Sequence, residues 1–211
     1  MTALSAGTSP ALEVREAHLS DPLVGPLLAG LSVEYRSRYH DVLTEEQHRA
    51  EMAHYGAEEF APPVGSLILL LQDGVPVAGG AFRRRFEPEL GEAARLVRPD
   101  ARDADGAPAV PTAELKRIWT DTAHRRRGLA RRVLTELEER ARQLGYPRLY
   151  LTTGPRQPEA AALYRTAGYT PLSAAAAGQG GAPSGTEPFE QGPVERVPFE
   201  PFPFEKWLVT P

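Results

Sequence analysis

The sequence predicts an α/β domain, and three observations carry that prediction. Two strand-length apolar runs flank Asp73-Gly74 as the arms of a hairpin would. From Glu114 onward a strand, a turn, a long amphipathic helix and another strand follow one another, and two capped helical stretches come before the hairpin. At 211 residues and 41% hydrophobic the chain can bury one good core, so one domain is the simplest reading.

Taken in order, residues 1–11 are small and polar and are expected to form a mobile N-terminus, with a short strand beginning at Leu12-Glu13-Val14-Arg15. Asp21-Pro22 opens a helical stretch to about residue 39, and Thr44-Glu45-Glu46-Gln47 has the Thr-x-x-Glu/Gln pattern of a second helix start, running to about residue 55. Residues 65–72 and 75–85 make the hairpin, because Asp73-Gly74 tolerates the left-handed backbone of a tight turn. Residues 87–111 contain four prolines and read as a loop, with a brief helix at 90–97.

Glu114 to Thr120 alternates polar and apolar side chains as a half-buried strand does, placing Glu114, Lys116, Ile118 and Thr120 on one face. Leu129, Val133, Leu137, Ala141 and Leu144 then recur at helical spacing until Gly145-Tyr146-Pro147 stops the helix. Arg148 to Thr153 is the next strand, and Pro158 and Gly168 bound a short helix. Residues 174–197, rich in Ala, Gly, Pro and Ser, form a flexible insertion before a last strand at 202–209, whose prolines suit a strand start or an edge. No internal repeat appears.

Composition excludes several classes. With no cysteine there is no disulfide, no thiol nucleophile and no cysteine-ligated zinc, which is compatible with a reducing compartment. A net charge of −4 argues against a general nucleic-acid binder. Residues 1–10 lack a signal-peptide pattern and the apolar run 67–71 is only strand length, so the expectation is a soluble, cytoplasmic protein without membrane contact. His40, His48 and His54 lack a His-Glu-x-x-His arrangement, and no metal is expected. Residues 74–79 have P-loop glycine spacing, but Gly80-Ala81 stand where Lys and Ser/Thr should be; Gly-x-Ser-x-Gly is absent.

The turn Arg125-Arg126-Arg127-Gly128-Leu129-Ala130 joins a strand to a helix, where free N–H groups and the helix dipole bind anions. Gly128 lets a phosphate approach the main chain, and the arginines add charge. A solvated basic patch is the other reading of these residues alone.

These six residues resemble the Arg/Gln-x-x-Gly-x-Gly/Ala signature of the GCN5-related N-acetyltransferase (GNAT) superfamily. A second segment, Gln157-Pro158-Glu159-Ala160-Ala161-Ala162-Leu163-Tyr164-Arg165-Thr166-Ala167-Gly168-Tyr169, resembles the family's Asn-x-x-Ala-x-x-Leu-Tyr-x-x-x-Gly-Phe/Tyr hallmark, in the place the family would put it. The two favour the cradle over the patch. The resemblance spans residues 114–172 and implies a mixed, mostly antiparallel central sheet, splayed in the middle and flanked by helices.

It further implies that acetyl-coenzyme A is the co-substrate, its diphosphate on Arg125, Arg126, Arg127, Gly128, Leu129 and Ala130 and its pantetheine arm along the main chain of Ile118, Trp119 and Thr120. The Trp119 side chain is expected in the core. Gln157 stands where many relatives carry Asn and keeps an amide for the same arm. Tyr164 occupies the general-acid position, against a purely packing role. Glu114, eleven positions before Arg125, resembles the strand glutamate that serves as base in histone-acetylating members, against a plain salt bridge to Lys116; water relay, Glu58 and Glu59 are the alternatives.

Two functions of different class remain. One is an N-acetyltransferase that moves acetyl from acetyl-coenzyme A to a primary amine by direct attack in a ternary complex. The other is a non-catalytic acyl-coenzyme-A-binding sensor or interaction module. The acceptor, a small-molecule or protein amine, is not legible, and a homodimer through the late strands is left open.

Overall fold

The computed structural model describes residues 12–85, 110–172 and 201–208. Residues 1–11, the expected helix at 90–97, the insertion at 174–197 and the end of the last strand lie outside them. The described residues form seven strands and four α-helices: β1 (Leu12–Glu16), α1 (Gly25–Tyr39), α2 (Glu45–Ala53), β2 (Ser66–Gln72), β3 (Val75–Arg84), β4 (Thr112–Thr120), α3 (Leu129–Gln143), β5 (Arg148–Thr153), α4 (Pro158–Thr166), β6 (Thr170–Pro171) and β7 (Phe202–Trp207). The strands make one mixed sheet in the order β1-β2-β3-β4-β5-β7-β6, antiparallel except for β4 with β5.

Local signals place these elements. Asp21 accepts the Leu23 N–H and caps a 3-10 turn, Pro22–Val24, that leads into α1. Thr44 and Gln47 form a reciprocal capping box, with Gln47 N–H 3.2 Å from Thr44 Oγ1 and Thr44 N–H 2.9 Å from Gln47 Oε1. α2 ends at Ala53, two residues before the expected end. Asp73 and Gly74 both take positive φ, 52° and 79°, which is the two-residue turn that matches strand twist.

Residues 67–71 are fully buried because both faces of β2 are covered. Leu67, Leu69 and Leu71 pack with Val24, Leu27 and Phe60, whereas Ile68 and Leu70 pack with Val133, Leu134 and Leu137 of α3. Pro203 sits second in β7, and Leu172 N–H reaches its carbonyl at 2.9 Å.

Two irregularities in β4 shape the centre of the molecule. Parallel pairing with β5 is limited to Thr112 with Arg148, Ala113 with Leu149 and Glu114 with Tyr150, after which the strands part. Against β3 the register moves from Ala81 with Lys116 to Gly79 with Trp119, so two residues oppose Gly80 in a β-bulge, and Arg117 has a φ of 58°. The extra residue corrects the expected face. Glu114 and Lys116 lie with Trp119 on the α1 side, while Ile118 turns to the α3 side. Gly80 accommodates this turn: a Cβ there would lie 2.6 Å from Ile118 Cδ1.

Candidate active site

The turn from β4 into α3 is assembled locally. Asp121 accepts the Ala123 N–H at 2.9 Å and caps a 3-10 turn, Thr122–His124; Arg126 and Gly128 then take φ of 61° and 78° before α3 begins. A Cβ at Gly128 would meet nothing within 4 Å, so the ground before the helix N-terminus is open. Arg125, Arg126, Gly128, Leu129 and Ala130 border a cavity of about 430 Å³ there, whose other wall is Ile118, Trp119 and Thr120. Thr120 Oγ1 is buried with no hydrogen-bond partner among the described residues.

One member of the motif departs from expectation. The Arg127 side chain does not border this cavity; its Nη2 donates to Gln72 Oε1 at 3.1 Å, on β2. Trp119 packs as expected, buried against α1, where a Cβ on Gly30 would collide with its indole.

A second cavity, of about 290 Å³, lies where β4 and β5 separate, under α1 and α2. Tyr35, Glu51, Tyr55, Lys116, Arg117 and Gln157 contribute to its wall. Gln157 Oε1 accepts from Gly154 N–H and from the Thr153 hydroxyl, both at 3.1 Å, so its amide nitrogen is the end left for a ligand.

Glu34, Ile118, Ala160 and Tyr164 border both cavities. Tyr164 thus packs in the core and also borders each cavity. Its ring packs 5.9 Å from Tyr169 and 5.8 Å from Phe204, and its hydroxyl has no hydrogen-bond partner among the described residues. Burial raises its pKa and keeps the phenol protonated. Glu34, absent from the expected site, bonds Arg125 Nη2 at 2.7 Å and Arg38 Nη2 at 3.0 Å. Its only sequence signal is the i,i+4 spacing to Arg38. Arg38 in turn bonds Glu159 and the Arg156 carbonyl, tying α1 to the start of α4.

Glu114 is not available as a base. It is buried and borders neither cavity. Arg83 Nη2 lies 2.8 Å from its Oε2, and Arg85 Nη1 and Lys116 Nζ lie 2.9 Å and 3.0 Å from its Oε1. Burial alone would raise this carboxyl's pKa; Lys116, Arg85 and Arg83 outweigh it and hold the group below the usual carboxylate range. The salt-bridge reading prevails, because the two arginines come from β3 and the residue after it. Glu59 is likewise engaged, 3.2 Å from Arg83 Nη1, and neither it nor Glu58 borders either of these two cavities.

Among the described residues no cluster of His, Asp and Glu could hold a metal ion, and no helix is long and apolar enough to cross a membrane.

The fold is shared with many solved structures. A protein of Klebsiella pneumoniae subsp. pneumoniae MGH 78578 described as an acyl-CoA N-acyltransferase aligns with a TM-score of 0.54 at 21% identity, over 94% of this chain and 98% of that one. The PaiA N-acetyltransferase of Thermoplasma acidophilum, solved with coenzyme A, aligns with a TM-score of 0.56 at 12% identity, over 93% and 99%. The aminoglycoside N-acetyltransferase AAC(6')-Iy, also solved with coenzyme A, aligns with a TM-score of 0.51 at 12% identity, over 80% and 94%. No curated protein matches the sequence. The model of the acetyltransferase (GNAT) family matches residues 31–169, more than half of the sequence, and with the splayed sheet and the glycine-started α3 it establishes that this chain belongs to that family.

Proposed function

We propose that the protein is an N-acetyltransferase that moves acetyl from acetyl-coenzyme A to a primary amine in a ternary complex. The observation that carries this is the meeting of the two cavities at Ile118 and Tyr164, one cavity ending at the α3 N-terminus and the other lying beneath α1 and α2. Such a pair admits a donor and an acceptor from different sides. The residues of the first cavity fit the donor: open space before Gly128, two arginines beside it, and the unpartnered Thr120 hydroxyl on its wall.

Acetyl-coenzyme A supplies an activated thioester. The α3 N–H groups with Arg125 and Arg126 hold its diphosphate, and the β4 edge over Ile118, Trp119 and Thr120, unpaired with β5, accepts an extended arm as a further strand would. Gln157 offers its amide nitrogen to that arm from the second cavity. As the amine nitrogen bonds the acyl carbon and the carbon–sulfur bond breaks, one proton leaves the amine and one reaches the thiolate. Tyr164 donates the second. Glu34, the carboxylate common to both cavities, takes the first directly or through water.

The test is release of free thiol from acetyl-coenzyme A across a panel of amines, with acetylated products read by mass and coenzyme A binding read by thermal shift. Thiol release that depends on an amine supports the assignment. Stabilisation by coenzyme A with no turnover on any amine overturns it in favour of a binding module.

A further inference from the structure

Arg117 makes no ion pair among the described residues. It occupies the β4 bulge at a φ of 58°, a left-handed conformation that strains a non-glycine residue. Its Nη2 donates to the Met52 carbonyl at 3.1 Å and its guanidinium lies 5.2 Å from the centroid of the Phe60 ring. Its Nε is buried without a partner, and no carboxylate among the described residues pairs with it. Neighbouring Lys116 has Glu114 at 3.0 Å, and Arg125 has Glu34 at 2.7 Å. Burial draws the Arg117 pKa down and Glu51 offsets this only in part, yet a guanidinium stays charged.

Among the described residues the Arg117 charge has no hydrogen-bonded anion, and Glu51 acts on it only through the field. The cavity it borders is the one proposed for the acceptor, and the same wall carries Glu51, whose carboxylate makes no ion pair among the described residues. One wall thus offers a cation and a carboxylate together. On the acetyltransferase reading, we infer that the acceptor is an amine that also bears a carboxylate, seated on the Arg117 guanidinium. The planar fork suits a carboxylate, and the bulge fixes where it stands.

Matched acceptors test this in the wild-type protein: an amino acid, its primary amide, the amine lacking the carboxyl group, and the corresponding aminoalkyl phosphate, each assayed by thiol release. The amino acid is expected to exceed the amide in kcat/KM by about tenfold to a hundredfold, the range of a charged hydrogen bond. Arg117→Gln should remove that preference by raising KM for the acid, leave the amide's KM within about twofold, and leave coenzyme A binding intact; Arg117→Lys should restore part of it. Equal use of acid and amide by the wild type, a preference surviving in Arg117→Gln, or better use of the phosphate overturns the inference while the acetyltransferase assignment stands. Absence of thiol release with every amine removes both.

Discussion

Glu34 Oε2 and Arg125 Nη2 lie 2.7 Å apart, and both residues border the cavity at the start of α3. The carboxylate occupies the arginine that a diphosphate would claim. Glu34→Gln should therefore tighten coenzyme A binding by about twofold to fivefold, the scale of a partly exposed ion pair, while slowing turnover. Calorimetry measures the first and thiol release the second. Weaker binding would assign Glu34 the task of holding Arg125 in place.

Gly128 is left-handed and faces open space. A valine there meets no steric wall within the protein, so its cost is the backbone strain of roughly 1–2 kcal/mol in stability. Coenzyme A affinity should fall by about tenfold or more, since the side chain would fill the approach to the α3 N–H groups. Normal affinity in Gly128→Val would remove the diphosphate assignment.

Tyr164→Phe should lower kcat by about a hundredfold and leave coenzyme A affinity near wild type. The pH profile gives an independent check. A general acid works while protonated, and burial raises this phenol above its ordinary 10.0, so the basic loss of kcat due to Tyr164 should begin above pH 10. A Tyr164-dependent fall at pH 8 would be inconsistent with that environment.

Glu114→Gln should act on stability. It removes the carboxylate shared by Arg83, Arg85 and Lys116, at a cost of about 3–5 kcal/mol for a buried cluster. Because the folded carboxyl titrates below the usual carboxylate range, its contribution is complete at neutral pH and is lost as the pH falls through that lowered pKa. Melting curves at neutral pH and near pH 3 should show the wild type losing the advantage that Glu114→Gln lacks at both. An unchanged melting temperature with a displaced acidic limb in kcat would instead restore the base role.

The structure was legible in the sequence where the cause is local. The Thr44 cap, the Asp73-Gly74 turn, the α3 stripe and the stop after it depend on neighbours a few residues away, and each expectation was met. The bulge at Arg117 could not be read, because it depends on Gly80 of another strand leaving room for Ile118. Of the Glu114 cluster only the Lys116 pair was legible, because alternation assigns a face but not the arginines that β3 brings to it. Glu34 carries no motif, and only the placement of α1 across the separating strands brings it to the site.

In mechanical terms the sheet is two plates joined at one rivet. β4 and β5 share three pairs, the last of them Glu114 with Tyr150. Arg85, from the β3 side, bonds Glu114 and lays its guanidinium 4.0 Å from the centroid of the Tyr150 ring, so charge braces the fork just where it opens. The spacing of the prongs is thereby governed from behind the cavities. Loosening this brace would shift the walls of both cavities at once, from a residue that borders neither.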